Sequence, residues 1–183
     1  MDRQTLGQLY PITLSPCNPQ WPQYYLSEKN HLLEILNAEV RIEHIGSTAI
    51  KGLISKPTID ILVEQPAGMD QTEIITQLTA AGYIPMQEQT RHLMFVKGYT
   101  PTGLAEISYH IHMGPLEQAW LWDRIYFRDY LIRYQAEMKN YEQLKKKLAA
   151  EFQFDREAYT NGKTEYVNRI TARAKNELSK NTT

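Results

Sequence analysis

Three residues carry the strongest chemical signal in this chain: Asp60, His110 and His112. Asp60 interrupts the apolar run Ile59, Ile61, Leu62, Val63, so it is the one charge on a strand that reads as buried. A buried carboxylate is costly unless it is paired or holds a metal ion. His110 and His112 are two residues apart on another predicted strand, so both point to one face. Imidazole pairs suit Zn, Mn, Ni or Fe better than Mg. The plainer alternative is two strand histidines satisfied by neighbouring carbonyls. Upstream, Gly46, Ser47 and Thr48 form a turn after a strand, 13 positions from Ser47 to Asp60. Glycine permits close backbone approach, and hydroxyls with turn amides suit an anion such as phosphate.

Charged residues that would meet such an anion are Lys56, Arg91 and Lys97. Arg91 and Lys97 are an even number of residues apart on one predicted strand and share a face if no bulge intervenes. Arg128 joins this set from a Tyr-rich helix. Its neighbour Asp129 is not expected to face it, because adjacent helix residues diverge. Lys145 and Lys163 come from a basic C-terminal region. Residues 1–138 hold 10 basic and 15 acidic groups, and residues 139–183 hold 10 and 6. Each lysine taken alone is equally well read as a solvated surface group. Trp120, Trp122, Tyr126 and Tyr130 read as helix-packing core rather than a base-stacking platform.

The elements that must position these residues follow from periodicity. Pro22–Ala38 reads as a helix, with Pro in its first turn. Val40–Ile45 alternates as a strand, and Ala49–Leu53 reads as a short turn or helix. Pro57–Val63 is a buried strand, and Asp70–Ala81 a helix stopped by Gly82. Arg91–Lys97 and Ala105–Met113 are strands joined by a turn over 98–103. Trp120–Lys147 and Arg156–Leu178 are helical, broken near Phe152–Asp155. Sheet first and helices last gives the class α+β, a mixed β-sheet with helices packed on it and an all-helical C-terminal third.

Composition narrows the function classes. The 183 residues suffice for one domain with a core, taken here as 1–183 with its core about 16–175. A net charge of −1 is no nucleic-acid coat. No apolar run approaches the ~18 residues that span a bilayer. No signal peptide is evident at the N-terminus, so a cytoplasmic location is expected. The single cysteine, Cys17, excludes an internal disulfide and a multi-cysteine zinc site, and has no evident base beside it. P-loop, nucleophile-elbow and zinc-finger motifs do not occur. A nucleic-acid binder ranks lowest, since the basic excess is confined to 139–183.

Gly-Ser followed by a strand Asp resembles the opening of the nucleotidyltransferase superfamily. More closely, the chain resembles the GrpB-like family assigned to that fold. The matching pieces are Pro19-Gln20-Trp21, Ile42 through Ala49, Gly52-Leu53, Lys56-Pro57 and Ile59-Asp60-Ile61. They continue through Gly82-Tyr83, Arg91, Phe95, Lys97, His110-Ile111-His112, Phe127 through Leu131, Tyr141, Leu144-Lys145, Leu148-Ala149, Tyr159 and Lys163. The resemblance implies that the Gly46-Ser47 turn holds a nucleoside triphosphate and that Asp60 holds a divalent metal, Mg, Mn or Zn. It also implies that Asp60 and the histidines meet, His112 or His110 taking the place of an acid from a later strand. The reaction implied is nucleotidyl transfer to an unspecified acceptor. Fusion of family members to dephospho-coenzyme A kinase adds coenzyme A as an alternative phosphate ligand, bound by a non-catalytic accessory module. A one-metal hydrolase or phosphotransferase is a further alternative. Two positions depart from the pattern. Lys51 stands where the family has Pro. Leu62 stands where the superfamily has its second acid, and Glu64 lies about 7 Å farther along the same face.

Overall fold

A computed structural model describes residues 3–86 and 91–180. The expected domain span also includes residues 1–2, 87–90 and 181–183, which lie outside the described residues. The elements in chain order are α1 (Arg3–Leu9), α2 (Trp21–Leu36), β1 (Ile42–Ile45), a 3-10 turn (Ser47–Ala49), β2 (Thr58–Glu64) and α3 (Gln71–Ala80). They continue with β3 (Ile84–Pro85), β4 (Leu93–Thr100), β5 (Gly103–Gly114), α4 (Ala119–Trp122), α5 (Arg124–Arg133), α6 (Gln135–Glu151), α7 (Arg156–Asn161) and α8 (Thr164–Lys180). The α+β class holds, with a mixed sheet and a helical C-terminal third. α1 and the two-residue β3 are additions to the expected elements. The expected helix over 120–147 is three helices. Tyr134, at φ −112 and ψ 91, leaves the helical region and separates α5 from α6. Asp70 caps α3 by accepting a hydrogen bond from the Glu73 amide at 2.8 Å.

The five strands run in the order β1-β2-β5-β4-β3. The central β2/β5 pair is parallel, and the other three pairings are antiparallel. Strand alternation then sorts the side chains. One face carries Ile59, Ile61, Val63, Phe95, Ile111 and Met113, packed against Trp21, Leu32 and Leu36 of α2 and Ile74 and Leu78 of α3. The opposite face carries Asp60, Leu62, His110 and His112. Leu62 and Ile45 pack there on Leu121 and Trp122 of α4. Ile50 and Leu53 meet Phe127, Leu131, Tyr141 and Ile170 of the C-terminal helices. The apolar contacts on this second face are discontinuous, and the gap between them is the site. No described helix is long and apolar enough to cross a membrane.

Candidate functional site

The register of the central parallel pair sets the site. Asp60 pairs with His110 and Leu62 with His112, so a carboxylate and two imidazoles share one patch of sheet. His110 Nδ1 lies 3.3 Å from Asp60 Oδ1. One donor atom from each of Asp60, His110 and His112 falls within 4.8 Å of the other two. Ligands bonded at ~2.0–2.1 Å around a tetrahedral ion lie about 3.3–3.4 Å apart, so the Asp60–His110 edge has the right length. The donor set is one oxygen and two nitrogens, which favours Zn or Mn over Mg. Leu62, fully buried, occupies the position of a second acid, and its cross-strand neighbour is His112.

Gly46 closes the floor. Its φ of 71 lies in the region that favours glycine. A Cβ there would stand 2.9 Å from Asp60 Cβ and Cγ and nearer still to Oδ2. Thr48 turns inward instead, donating to the Thr58 carbonyl at 3.1 Å.

A cavity of about 440 Å³ opens over this floor. Gly46, Ser47, Asp60, His110 and His112 line it from the sheet side, and Arg124, Phe127, Tyr141, Lys145, Tyr159 and Lys163 from the helices. Lys56 joins them from the loop before β2. Lys56, Arg124, Lys145 and Lys163 make no carboxylate ion pair among the described residues. Lys145 is 2% exposed, donates to the Ile54 carbonyl and lies over the Tyr141 ring. Lys56 and Lys163 lie 5.6 and 4.1 Å from the centre of the same Tyr159 ring.

The electrostatics follow from burial and charge. Burial, then the Arg156 and Lys163 charges, lowers the Lys56 ammonium to about 7. Burial, then the Lys163 charge, takes Lys145 to about 7. Burial takes Lys163 to about 8. Burial pushes the Asp60 carboxyl up, but hydrogen bonding and charge from His110, with His112 and Lys56, outweigh it and bring it to about 2. Burial and the Arg124 charge hold His112 well below the ordinary imidazole value.

Several expected site residues lie elsewhere. Lys97 is on the opposite face of the sheet, donating to both Glu28 carboxylate oxygens at 2.9 and 3.1 Å. It therefore makes no phosphate contact in the cavity. Arg91 precedes β4 and stacks 4.3 Å over Trp120, outside the cavity, so it does not share a face with Lys97. Arg128 is spent on Glu43 at 2.9 Å, the His44 carbonyl at 2.8 Å and Asp129 at 2.7 Å. The last contact corrects the expectation that Arg128 and Asp129 diverge: the guanidinium folds back along the exposed helix surface. His44 stacks on Tyr25 on the far face and bonds Thr48 at 3.0 Å.

Residues absent from the sequence reading also belong to the site. Arg124 lines the cavity, and His92 Nε2 lies 2.9 Å from His112 Nδ1. Tyr99 lies 2.8 Å from His110 Nε2. His92 was legible as the residue two before Met94 and four before Val96, which pair with His112 and His110. Tyr99 was not, because a bulge precedes it.

Comparison with known proteins places these residues in context. The profile of the family described as GrpB protein matches residues 11–173. A UPF0157 protein of Pseudomonas aeruginosa is 40% identical over 167 residues, covering 89% of this chain and 67% of that one. The crystal structure of the conserved protein GrpB from Enterococcus faecalis superposes with a TM-score of 0.78 at 25% identity, over 91% of this chain and 99% of that one. A crystal structure of the Cid1 poly(U) polymerase bound to MgATP overlaps at a TM-score of 0.46 and 11% identity, over 72% and 45% of the two chains, too loosely to carry its chemistry across. An 85-residue stretch is 33% identical to dephospho-CoA kinase of Mycobacterium tuberculosis, covering 44% of this chain and 21% of that one.

Proposed function

The chain belongs to the GrpB family, and we propose that its cavity binds a nucleoside triphosphate together with one divalent metal ion and transfers a nucleotidyl group from it. The observation that carries this reading is a convergence. Asp60, His110 and His112 meet at the floor of a cavity walled by four cations that lack carboxylate partners. Asp60, His110 and His112 would hold the ion. A bound divalent ion supplies a Lewis acid that draws charge from a phosphoryl oxygen. Lys56, Lys145, Lys163 and Arg124 neutralise the phosphates in a cavity partly closed to water, where each charge counts for more than in solution. Phe127 and Tyr141 give the cavity an apolar wall against which a base can pack. In nucleotidyl transfer, an acceptor oxygen bonds to the α-phosphorus as the bond to the bridging oxygen breaks and pyrophosphate leaves.

Asp60→Asn tests the reading. Isothermal titration of ATP, CTP, GTP and UTP, each with Mn and with Zn, should show binding by the wild type and its loss in the folded variant. In thermal unfolding, a ligand at 100 Kd adds about 2.7 kcal/mol to stability. An Asp60→Asn variant that binds metal and triphosphate as the wild type does overturns the assignment.

A second reading is a module that binds a nucleotide or coenzyme A without transferring anything. Buried Leu62 at the second-acid position favours it. Metal-dependent triphosphate binding without pyrophosphate release, across a panel of hydroxyl acceptors, selects this reading. A coenzyme A response without a triphosphate response selects its coenzyme A form.

A further inference from the structure

We propose that Tyr99, held by Arg156, is a positioning residue that decides which ring nitrogen of His110 carries the proton and so sets the state of the Asp60–His110 pair. The metal arm of this proposal rests on the reading above; the proton assignment does not.

Backbone geometry brings Tyr99 to the site. Lys97 and Tyr99 are two residues apart, and a regular strand would put both on one face. A bulge intervenes: Lys97 pairs with Tyr109, and the next pairing is Tyr99 with Leu104. Gly98 between them has φ +86, and a Cβ there would lie 3.0 Å from Ser108 Cα. Bulges re-aim side chains, and this one sends Lys97 to Glu28 on one face and Tyr99 to His110 on the other.

Hydrogen counting then fixes the ring. Arg156 Nη2 donates to the Tyr99 oxygen at 2.8 Å, and Nη1 donates to the Tyr10 carbonyl at 3.0 Å, so the guanidinium is held at both ends. A guanidinium cannot accept, so at that contact Tyr99 is the acceptor. The phenol has one hydrogen of its own. Among the described residues its one acceptor is His110 Nε2, at 2.8 Å. Tyr99 therefore donates to Nε2, and the single N–H of a neutral ring sits on Nδ1, facing Asp60 Oδ1 at 3.3 Å. Donation runs one way, from Arg156 through Tyr99 and His110 to Asp60.

In this state His110 and Asp60 satisfy each other. For Nδ1 to serve a metal ion, the ring proton must move to Nε2. The Tyr99 oxygen is then its acceptor, with the phenol hydrogen turned aside. A phenol can serve both tautomers in turn; a phenyl ring serves neither. A ring N–H opposite a bound cation is the stronger donor of the two states, so removing the hydroxyl costs the loaded form more.

The test is nitrogen-15 correlation spectroscopy of histidine-labelled, metal-free protein, followed by titration with Zn. Wild type should show His110 as the Nδ1–H tautomer. Tyr99→Phe should lose that preference while the other histidine signals and the melting profile stay in place, and should bind Zn about 10-fold more weakly. A wild-type ring already in the Nε2–H form overturns the proposal, and this measurement needs no variant. So does a Tyr99→Phe protein with an unchanged tautomer. A wild type that binds no Zn refutes the metal reading instead, and the metal-free spectra still decide the role of Tyr99.

Discussion

Gly46 and Asp60 compete for the same space, and the carboxylate has it. The Asp60 side chain lies where a Gly46 Cβ would be, 2.9 Å from its own Cβ and Cγ to that point. Gly46→Ala must therefore push Asp60 off the floor and strain a backbone at φ 71. Metal and triphosphate binding should fall at least 10-fold by titration. Thermal unfolding should show a loss of about 1–3 kcal/mol. Unchanged binding would mean that Asp60 does not need its observed position.

Anion binding should draw protons from solution. Lys56 and Lys145 titrate near 7, lowered mainly by burial, so at pH 8 both are largely uncharged. A polyphosphate beside them restores the ammonium forms. Calorimetry of tripolyphosphate binding at pH 8 in buffers of different ionisation enthalpy should report uptake of about one to two protons. The same shifts govern stability without ligand. Each folded value lies below the unfolded 10.5, so the unfolded chain holds more protons between about 7 and 10.5, and stability rises with pH through that window.

Lys97 should matter for folding and not for ligand binding. Glu28, 5% exposed, accepts from Lys97 and from the Tyr83 hydroxyl on the face away from the cavity. Lys97→Met leaves that carboxylate with one partner. Urea unfolding should show a loss of about 1–3 kcal/mol, with triphosphate affinity unchanged. Loss of affinity in a folded variant would return Lys97 to the site.

Replacing Leu62 by Asp should not create a second metal position. Leu62 is fully buried among Ile45, Leu121 and Trp122. A carboxylate there has no partner, and the variant should lose roughly 2–5 kcal/mol or fail to fold. Elemental analysis showing two ions per folded variant chain would contradict this.

Acid should weaken the fold through His44. Burial lowers this imidazole to about 4. Its unfolded value is 6.5, so the contribution is complete above pH 6.5 and is lost as pH falls through 4. His44→Gln should flatten the urea midpoint across that range by on the order of 2–3 kcal/mol.

The sequence disclosed what period and chemistry can disclose. Asp60 stood out because a charge inside Ile59–Val63 has to be explained, and His110 and His112 because two residues of separation on a strand means one face. Lys56 and Lys145 were legible as cations and not as half-neutral buried groups, since burial by α6 and α7 is a tertiary fact. Lys97 misled because nothing local announces Glu28, which lies 69 positions away. Tyr99 was hidden by the bulge at Gly98, which inverts the parity that strand reading depends on. Arg128 was taken for a ligand contact because a sequence does not reveal which carboxylates a guanidinium has already found.

The parallel pairing of β2 with β5 has a last consequence, for the order of events in folding. Asp60 and His110 are 50 positions apart, and they meet only after α3, β3 and β4 have been laid down between their strands. No shorter piece of chain holds both halves of the floor. Closing so long a loop is an entropic cost that the unfolded chain escapes. An ion shared by the two strands would act as a removable clasp across that loop, so the chelated protein should unfold at a lower temperature and open first along the β2/β5 seam. Hydrogen exchange at Ile61 and Ile111, compared with and without chelator, would show that seam directly.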